Sequence, residues 1–495
     1  MAQINGLDSR DCEVLRYSEA DTDDSKDSLK SSSDFQSSVQ LDMRTSFTYS
    51  LGLIFSCLGC VLGTGNIWRF PRIIAVASSD KVVGWCFYYF YVSCTRAELP
   101  LTEPESREIF DNFTRTSWPL VNHTLCLVIC GITVFKGVKG IEFVNSCLVP
   151  IQLVIVIIVF YWSLSREYAN VGIKFMFTAD WSTLLDPKIY VEAACQNAFD
   201  TAAGMGVFSA YAAYFSRKTG AVRYGILLPI FNNLVSLTCG LTIFATVFST
   251  LIQTSPTLTI PQIVSIMKES GPGSTGLTFT WIPVLMSKLG IMGRILCGMF
   301  FLCLSFAGIS SMIASIELTA RTIQDFGVKR IWATVASLIL SFIVGVPSAV
   351  SVDILSNQDF VWGFGLIISG LCYCALVVWY NPVRYLHVIV NDFAINDWRL
   401  PFVWIFIIAG IVPFEGLSLI AWWVYQNIAC TKWYLLKAES LAVILLEWGV
   451  LTFFLGLFNL FICIFKLSVR NSSSDTGYDP YHPENIPRSQ DCKEP

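Results

Sequence analysis

Two stretches of this chain set polar and conformationally permissive residues where an apolar run would otherwise continue. The first, Leu58-Gly-Cys-Val-Leu-Gly-Thr-Gly-Asn-Ile-Trp-Arg-Phe-Pro71, places three glycines, Asn66 and Arg69 inside the first long apolar segment. The second, Cys195-Gln-Asn-Ala-Phe-Asp-Thr-Ala-Ala-Gly-Met-Gly206, brings Gln196, Asp200 and a Gly-x-Gly pair to mid-run, ahead of an aromatic segment ending at Tyr214. Glycine is a poor helix former, and an arginine or aspartate at membrane depth marks a functional site. The chemistry such text supports is ion binding by unwound backbone. Freed carbonyl dipoles hold a cation and freed amides hold a carboxylate, an arrangement tolerated at that depth only where it lines a cavity. An unpaired Asp200 there would cost about 2.5 to 3.5 kcal/mol, so a compensating cation is expected. Taken alone, Gly204 and Gly206 read equally well as a helix-packing device. Two interrupted runs in corresponding places point instead to a transporter's central site.

The elements that must position these residues are membrane helices. The chain has 495 residues, a mean hydropathy of +0.57, 54% hydrophobic residues and 14% charged ones, too apolar for a water-soluble globule. Apolar runs recur near 46–77, 123–137, 141–164, 189–214, 222–250, 291–320, 331–350, 360–380, 399–425 and 440–466, which predicts about ten crossings in an all-α polytopic bundle over residues 45–466. Residues 1–44 carry ten acidic against five basic residues with no apolar leader, and read as a disordered cytosolic tail. Residues 467–495 read as a second cytosolic tail. Lys136, Lys139, Arg217, Lys218, Arg223, Lys329, Arg330 and Arg384 fall in alternate connections, which sets the cytosolic side. The sequons at Asn112 and Asn122 fall on the other side, as glycan acceptors must. The three histidines are far apart, and the 17 cysteines lie mostly in apolar runs, so neither a metal centre nor a disulfide framework is expected. Nothing in the charge pattern suggests nucleic acid.

The segment Gly63-Thr-Gly-Asn-Ile-Trp-Arg-Phe-Pro71 resembles the Gly-Leu-Gly-Asn-x-Trp-Arg-Phe-Pro motif of the neurotransmitter:sodium symporter family, and the likeness, closest to the bacterial-type amino-acid transporters, runs from about Arg44 to Lys466. The resemblance implies a LeuT-like inverted-repeat fold with discontinuous helices and two sodium sites. The first maps onto the Val61 carbonyl, Asn66, Asp200 and Asn232 with the substrate carboxylate. The second maps onto the carbonyls of Gly59, Leu62 and Ala307 and the hydroxyls of Ser310 and Ser311. Asp200 departs from the family's serine or threonine. That hydroxyl touches chloride in chloride-dependent members, beside Gln196, Asn232 and Ser236 here. A fixed carboxylate would take the anion's place, so chloride is not expected to be required; the competing reading is an Asp200 protonated at rest, which would make the carrier proton-sensitive. Gly63 stands where monoamine carriers place an aspartate, which favours a neutral amino acid whose own carboxylate meets the amides of Thr64 and Gly65. Phe199, Ala202, Met205 and Ser315 would line a pocket for a bulky apolar or aromatic side chain. Arg69 and Asp359 would form an outer gate. Arg44 and Phe47 would close against Tyr214 and Asp325 inside. Glu317, Glu415 and Glu447 read as residues facing a polar interior or an interface, outside the site.

The resemblance has a gap. After Ala75 the text runs Val-Ala-Ser-Ser-Asp-Lys-Val-Val and reaches Gly84-Trp85 directly. The family's second helix and half of its third are absent, the first repeat is incomplete, and Ser79 stands where the family has a substrate-binding tyrosine. The surviving apolar piece, Val82–Cys94, is 13 residues long and is expected to be a re-entrant hairpin or to lie at the outer surface. Two readings follow: a sodium-coupled symporter, or a non-transporting scaffold that assembles with full-length copies. A channel would need rings of polar residues along a pore, and an enzyme a nucleophile and base in a motif context; the sequence has neither. A multi-pass protein of the plasma membrane with both termini cytosolic is expected, and homo-oligomerisation stays open.

Overall fold

The computed structural model describes residues 50–62, 79–96, 98–178, 181–215, 219–268, 277–392, 397–430, 433–435 and 440–464. All of them lie within one compact unit, and every regular element among them is helical. Seven helices are long and apolar enough to cross a membrane. Each matches one of the predicted runs. They are α4 (Trp118–Phe135), α5 (Val138–Leu164), α9 (Ala221–Thr254), α12 (Gly290–Asp325), α13 (Arg330–Val350), the span Val403–Ala429, whose C-terminal part is α15 (Val412–Cys430), and α16 (Leu441–Ile464). An eighth run, at the end of α14 (Val352–Tyr380), passes the same test only together with Pro382–Asn391, from which it is bent by 95°.

The two remaining runs are those carrying the glycine clusters. The first begins as α1 (Ser50–Val61) and leaves the described residues after Leu62. The second divides into α7 (Pro187–Asp200) and α8 (Val207–Ala212), separated by a non-helical turn. In that turn Gly204 and Gly206 have φ of +77° and +72°, and Ala202 has φ of +54°, a region an L residue with a Cβ rarely adopts. Gly204 is required sterically as well. A Cβ there would run into the Leu366 carbonyl oxygen of α14, and the Gly204 carbonyl accepts the Ser369 hydroxyl at 2.7 Å.

α12 is the central element, 36 residues long and packed by α1, α2 (Ser79–Thr95), α4, α5, α8 and α13. Its buried face mixes large apolar residues such as Phe301, Leu304 and Ile313 with small ones, Ala307, Gly308, Ser310, Ala314 and Ala320 among them, which let neighbouring backbones approach. α9, 34 residues long, lies beside α5, and its N-terminus is capped from outside the helix. The Asp397 carboxylate accepts the amides of Val222 at 2.7 Å and Arg223 at 3.2 Å. A second, smaller apolar cluster of Val361, Trp423, Leu441 and Ile444 joins α14, α15 and α16.

The expectation for residues 82–94 is corrected. They form neither a hairpin nor an outer layer but the body of α2, a continuous helix whose Trp85, Cys86 and Tyr89 are buried against α12 and α4. The reason lies in the aromatic spacing. Trp85 meets Phe110 and Phe279 edge-on at 5.0 and 5.4 Å, and Tyr88 stacks on Phe113 at 4.1 Å. Phe110 and Phe113 come from α3 (Glu103–Thr114), so this short amphipathic helix covers one flank of α2. Residues 63–78, between Leu62 and α2, are fewer than the roughly 20 a further spanning helix requires.

Candidate functional site

Two oxygen-rich clusters form where the interrupted runs meet α12 and α9. At the first, α1 crosses α12 at Gly59. A Cβ on Gly59 would stand 3.0 Å from the Ser310 Cβ and 3.1 Å from Val149 Cγ2, tighter than such contacts normally allow. The missing side chain lets the α1 backbone reach the α12 hydroxyls. Ser311 Oγ donates to the Gly59 carbonyl at 3.4 Å and to the Ala307 carbonyl at 3.1 Å, and Ser310 Oγ donates to Ala307 at 2.9 Å. Gly59, Ala307, Ser310 and Ser311 therefore come together, a set of neutral hard oxygens of the kind a small hard cation takes. Leu62 is fully buried at the end of α1, and its carbonyl accepts Gln152 Nε2 at 3.2 Å. Ser315, one turn beyond Ser311, donates to the Ser311 carbonyl at 3.2 Å.

The second cluster surrounds Asp200, the last residue of α7. Its carboxylate is 4% exposed and accepts Gln196 Nε2 at 3.0 Å and Ser236 Oγ of α9 at 2.9 Å. Asn232, one turn before Ser236, is fully buried. A carboxylate at this position sits at the negative end of its own helix dipole, so both its burial and its place favour a positive charge nearby. Ala202 is buried and Met205 half-buried in the turn that follows.

The other sequence-derived positions divide as follows. Gly63, Thr64, Gly65, Asn66, Arg69, Arg44 and Phe47 lie outside the described residues, as do the side chains of Val61, Phe199 and Asp359. Tyr214 is placed in a network that the sequence reading did not assign to it. Its hydroxyl donates to Glu317 and accepts Arg330 Nη1 at 3.1 Å, while the Arg321 guanidinium lies 4.1 Å above its ring. Asp325 stands exposed at the end of α12. The sequon at Asn122 is corrected: its side chain is buried and donates to the Gly84 carbonyl at 2.9 Å, which leaves no room for a glycan. Asn112 is exposed on α3.

A comparison with known families decides what kind of protein carries these clusters. The model of the "Sodium:neurotransmitter symporter family" matches residues 105–452, from α3 into α16. The chain belongs to the sodium:neurotransmitter symporter family. It is thus a member of a family of membrane transporters, not of enzymes. An uncharacterized sodium-dependent transporter of Methanocaldococcus jannaschii is 24% identical over 68% of this chain and 82% of its own length. Sodium-dependent nutrient amino acid transporter 1 of Drosophila melanogaster is 27% identical over 65% of this chain, which spans about half (48%) of that relative. The solved structure of MhsT in complex with L-phenylalanine superposes with a TM-score of 0.62 at 20% identity, covering 76% of this chain and 99% of MhsT, which shows the LeuT-like fold.

Within this family member, two groups of residues escaped the sequence reading. Glu317, set aside there, is fully buried and takes Arg330 as a two-pronged partner, Nη1 to Oε1 at 3.1 Å and Nη2 to Oε2 at 2.8 Å. Arg330 also donates to the Val134 carbonyl at 3.0 Å, which ties α4, α12, α13 and the end of α8 into one knot. The Glu317–Arg321 spacing of four residues was the available signal. The second group is Glu142, Asn145 and Gln152 on α5, buried in a mostly apolar helix. Spacings of three, seven and ten residues place them on one face, and that face meets α1. Glu142 abuts Gly52, and Asn145 Oδ1 lies 3.4 Å from the Cβ position of Gly59.

Proposed function

We propose that this chain is a sodium-coupled symporter of a neutral amino acid, with an apolar or aromatic side chain, that works by alternating access and does not require chloride. The observation that carries this reading is the pairing of two cation-compatible clusters. One is the neutral set at Gly59, Ala307, Ser310 and Ser311. The other is the buried Asp200 carboxylate with Gln196 and Ser236. Sodium is the cargo that both would take, and family membership supports it. The fly relative's name supports an amino acid as the co-substrate, and the phenylalanine bound to MhsT supports a bulky apolar one. Chloride independence follows from charge. A carboxylate fixed where Gln196 and Ser236 converge already supplies the negative charge an anion would bring, and repulsion at a few ångströms disfavours holding both. Gly63, Thr64 and Gly65 would receive the substrate carboxylate, Phe199, Ala202, Met205 and Ser315 its side chain. Val61, Leu62, Asn66 and Asn232 would complete the sodium shells. Arg69 with Asp359, and Arg44 and Phe47 with Tyr214 and Asp325, would gate the two sides of a plasma-membrane protein with both tails in the cytosol.

A second reading rests on a specific observation. Residues 63–78 are too few for the family's second helix, and Ser79 replaces the substrate tyrosine, so the chain would act as a non-transporting scaffold for full-length copies. One experiment separates the two. Labelled neutral amino acids are offered to proteoliposomes containing the chain, with sodium replaced by choline and, separately, chloride by gluconate. Sodium-dependent uptake that survives chloride removal supports the symporter. Absence of uptake by correctly inserted protein sinks it and leaves the scaffold.

A further inference from the structure

Gln152 lies in the span α5, is fully buried, and divides its amide between one satisfied and one unsatisfied atom. Nε2 donates to the Leu62 carbonyl at 3.2 Å, whereas Oε1, also buried, has no hydrogen-bond partner among the described residues. Its backbone is fixed independently, because the Gln152 carbonyl accepts the Cys303 thiol of α12 at 3.8 Å. A buried amide oxygen without a donor is unfavourable, because it has given up water and gained no partner. Leucine or isoleucine, as in the rest of this stretch of α5, would avoid that cost. The orphaned oxygen stands beside the carbonyl that ends α1, one turn from Gly59 and the Ser310–Ser311 hydroxyls. Oε1 and Nε2 share one carbon, so a half-turn of the amide exchanges them. In the arrangement seen, NH2 faces the Leu62 carbonyl, the only orientation a cation-free carbonyl accepts. With a cation between them, two oxygens facing each other become the favourable arrangement.

We propose that Gln152 supplies an additional neutral oxygen ligand to sodium at the Gly59–Leu62–Ala307–Ser310–Ser311 site, its amide turning over as the cation arrives. The inference rests on the symporter reading and extends it by one residue on an element to which that reading assigned no ligand. Arrival of sodium removes the NH2–carbonyl bond and engages Oε1, so the site's resting and loaded states differ by a local rotation at the α1–α5 contact.

Sodium binding to the purified full chain tests this directly, by equilibrium binding of radioactive sodium and by the sodium-dependent rise in Tm against choline. Ser311→Ala serves as the reference for the site. Gln152→Leu, which keeps volume and loses the oxygen, is expected to weaken sodium binding about tenfold. Gln152→Glu loses the donor but keeps an oxygen and adds charge; it is expected to bind sodium at least as tightly as the wild type. Binding within twofold of wild type in Gln152→Leu, with Ser311→Ala weakened, overturns the ligand role. So does a Gln152→Glu variant weakened as much as Gln152→Leu, since that marks the hydrogen bond to Leu62 as the contribution. Should Gln152→Leu not fold, Gln152→Glu decides against the wild type: sodium binding at least as tight supports the ligand role, and binding about tenfold weaker overturns it. A wild-type chain that binds no sodium at all overturns the symporter reading as well, an outcome distinct from a failure at Gln152 alone.

Discussion

The crossing of α1 and α12 and the end of α7 both gather oxygens in an apolar surrounding, and they do so by opposite means. At Gly59 no formal charge is present. A missing Cβ lets the Gly59 carbonyl approach α12, where the Ser311 hydroxyl donates both to it at 3.4 Å and to the Ala307 carbonyl at 3.1 Å. At Asp200 a carboxyl group is held at the C-terminal end of its helix by an amide and a hydroxyl, where a negative charge is unfavourable. As a cation site, the first cluster would depend on close approach and discriminate by fit. The second depends on Coulomb attraction and tolerates imperfect geometry, but its contribution vanishes with the charge. A coupled carrier would gain from having both, because a neutral site would release its ion readily while a charged one would link ion binding to whatever else enters the pocket.

The sharpest way to break the comparison is to remove the charge. Asp200→Asn keeps the shape and hydrogen-bonding capacity, and sodium-dependent uptake should fall on the order of 100-fold, the scale expected when a buried charge loses its role as partner. Asp200→Ser should recover part of that uptake only when chloride is supplied. Recovery that ignores chloride would contradict the anion-replacement argument. The measurement is uptake in sodium with chloride or gluconate.

A third carboxylate sharpens the contrast. Glu317 is as deeply buried as Asp200 but has arginines fixed beside it: Arg330 in two-pronged contact and Arg321 at 3.7 Å. This carboxylate is therefore a structural tie, whereas Asp200 is the one proposed to meet sodium. Arg330→Met should lower stability by about 2 to 3 kcal/mol, because it strands a buried charge. The double variant Glu317→Leu with Arg330→Met should regain most of that loss. Thermal unfolding in detergent reads both. No recovery in the double variant would mean that the arginine's bond to the Val134 carbonyl, not the ion pair, holds the knot.

The turn that follows Asp200 can be tested through its backbone. Gly204→Ala introduces a Cβ at φ of +77° and against the Leu366 carbonyl, and is expected to destabilise the chain by about 1 to 3 kcal/mol. A neutral outcome in the same thermal assay would show that α14 yields at this contact.

How much of this was legible in the sequence depends on what kind of signal each feature leaves. Long apolar runs made seven spans readable, since length and composition alone decide them. Gly204 and Gly206 marked the α7–α8 break because positive φ leaves a residue-type signature. α2 was misread because span length was the only criterion applied to it. Burial there comes from Trp85 and Tyr88 meeting Phe110, Phe113 and Phe279, residues distant in sequence. Asn122 fits a sequon perfectly, and only the approach of Gly84 shows it to be buried. The partnership of Glu317 with Arg330 crosses a helix boundary, so no periodicity announces it. Glu142, Asn145 and Gln152 did leave a periodic trace on α5, but three polar residues in a 27-residue helix are easily taken for packing polarity.

The smallest expected effect belongs to the neutral cluster. Ser311→Ala removes one hydroxyl that lies 3.4 Å from the Gly59 carbonyl and 3.1 Å from Ala307, and leaves Ser310 and both carbonyls in place. Loss of one neutral ligand from a set of several should raise the sodium concentration for half-maximal uptake about tenfold, or about 1.4 kcal/mol, with the maximal rate retained at saturating sodium. Chloride should make no difference, because no charge has changed. That insensitivity is what separates the two sites: a chloride effect in Ser311→Ala would mean that the clusters at Gly59 and Asp200 are electrostatically one, and the division drawn between fit and charge would fall.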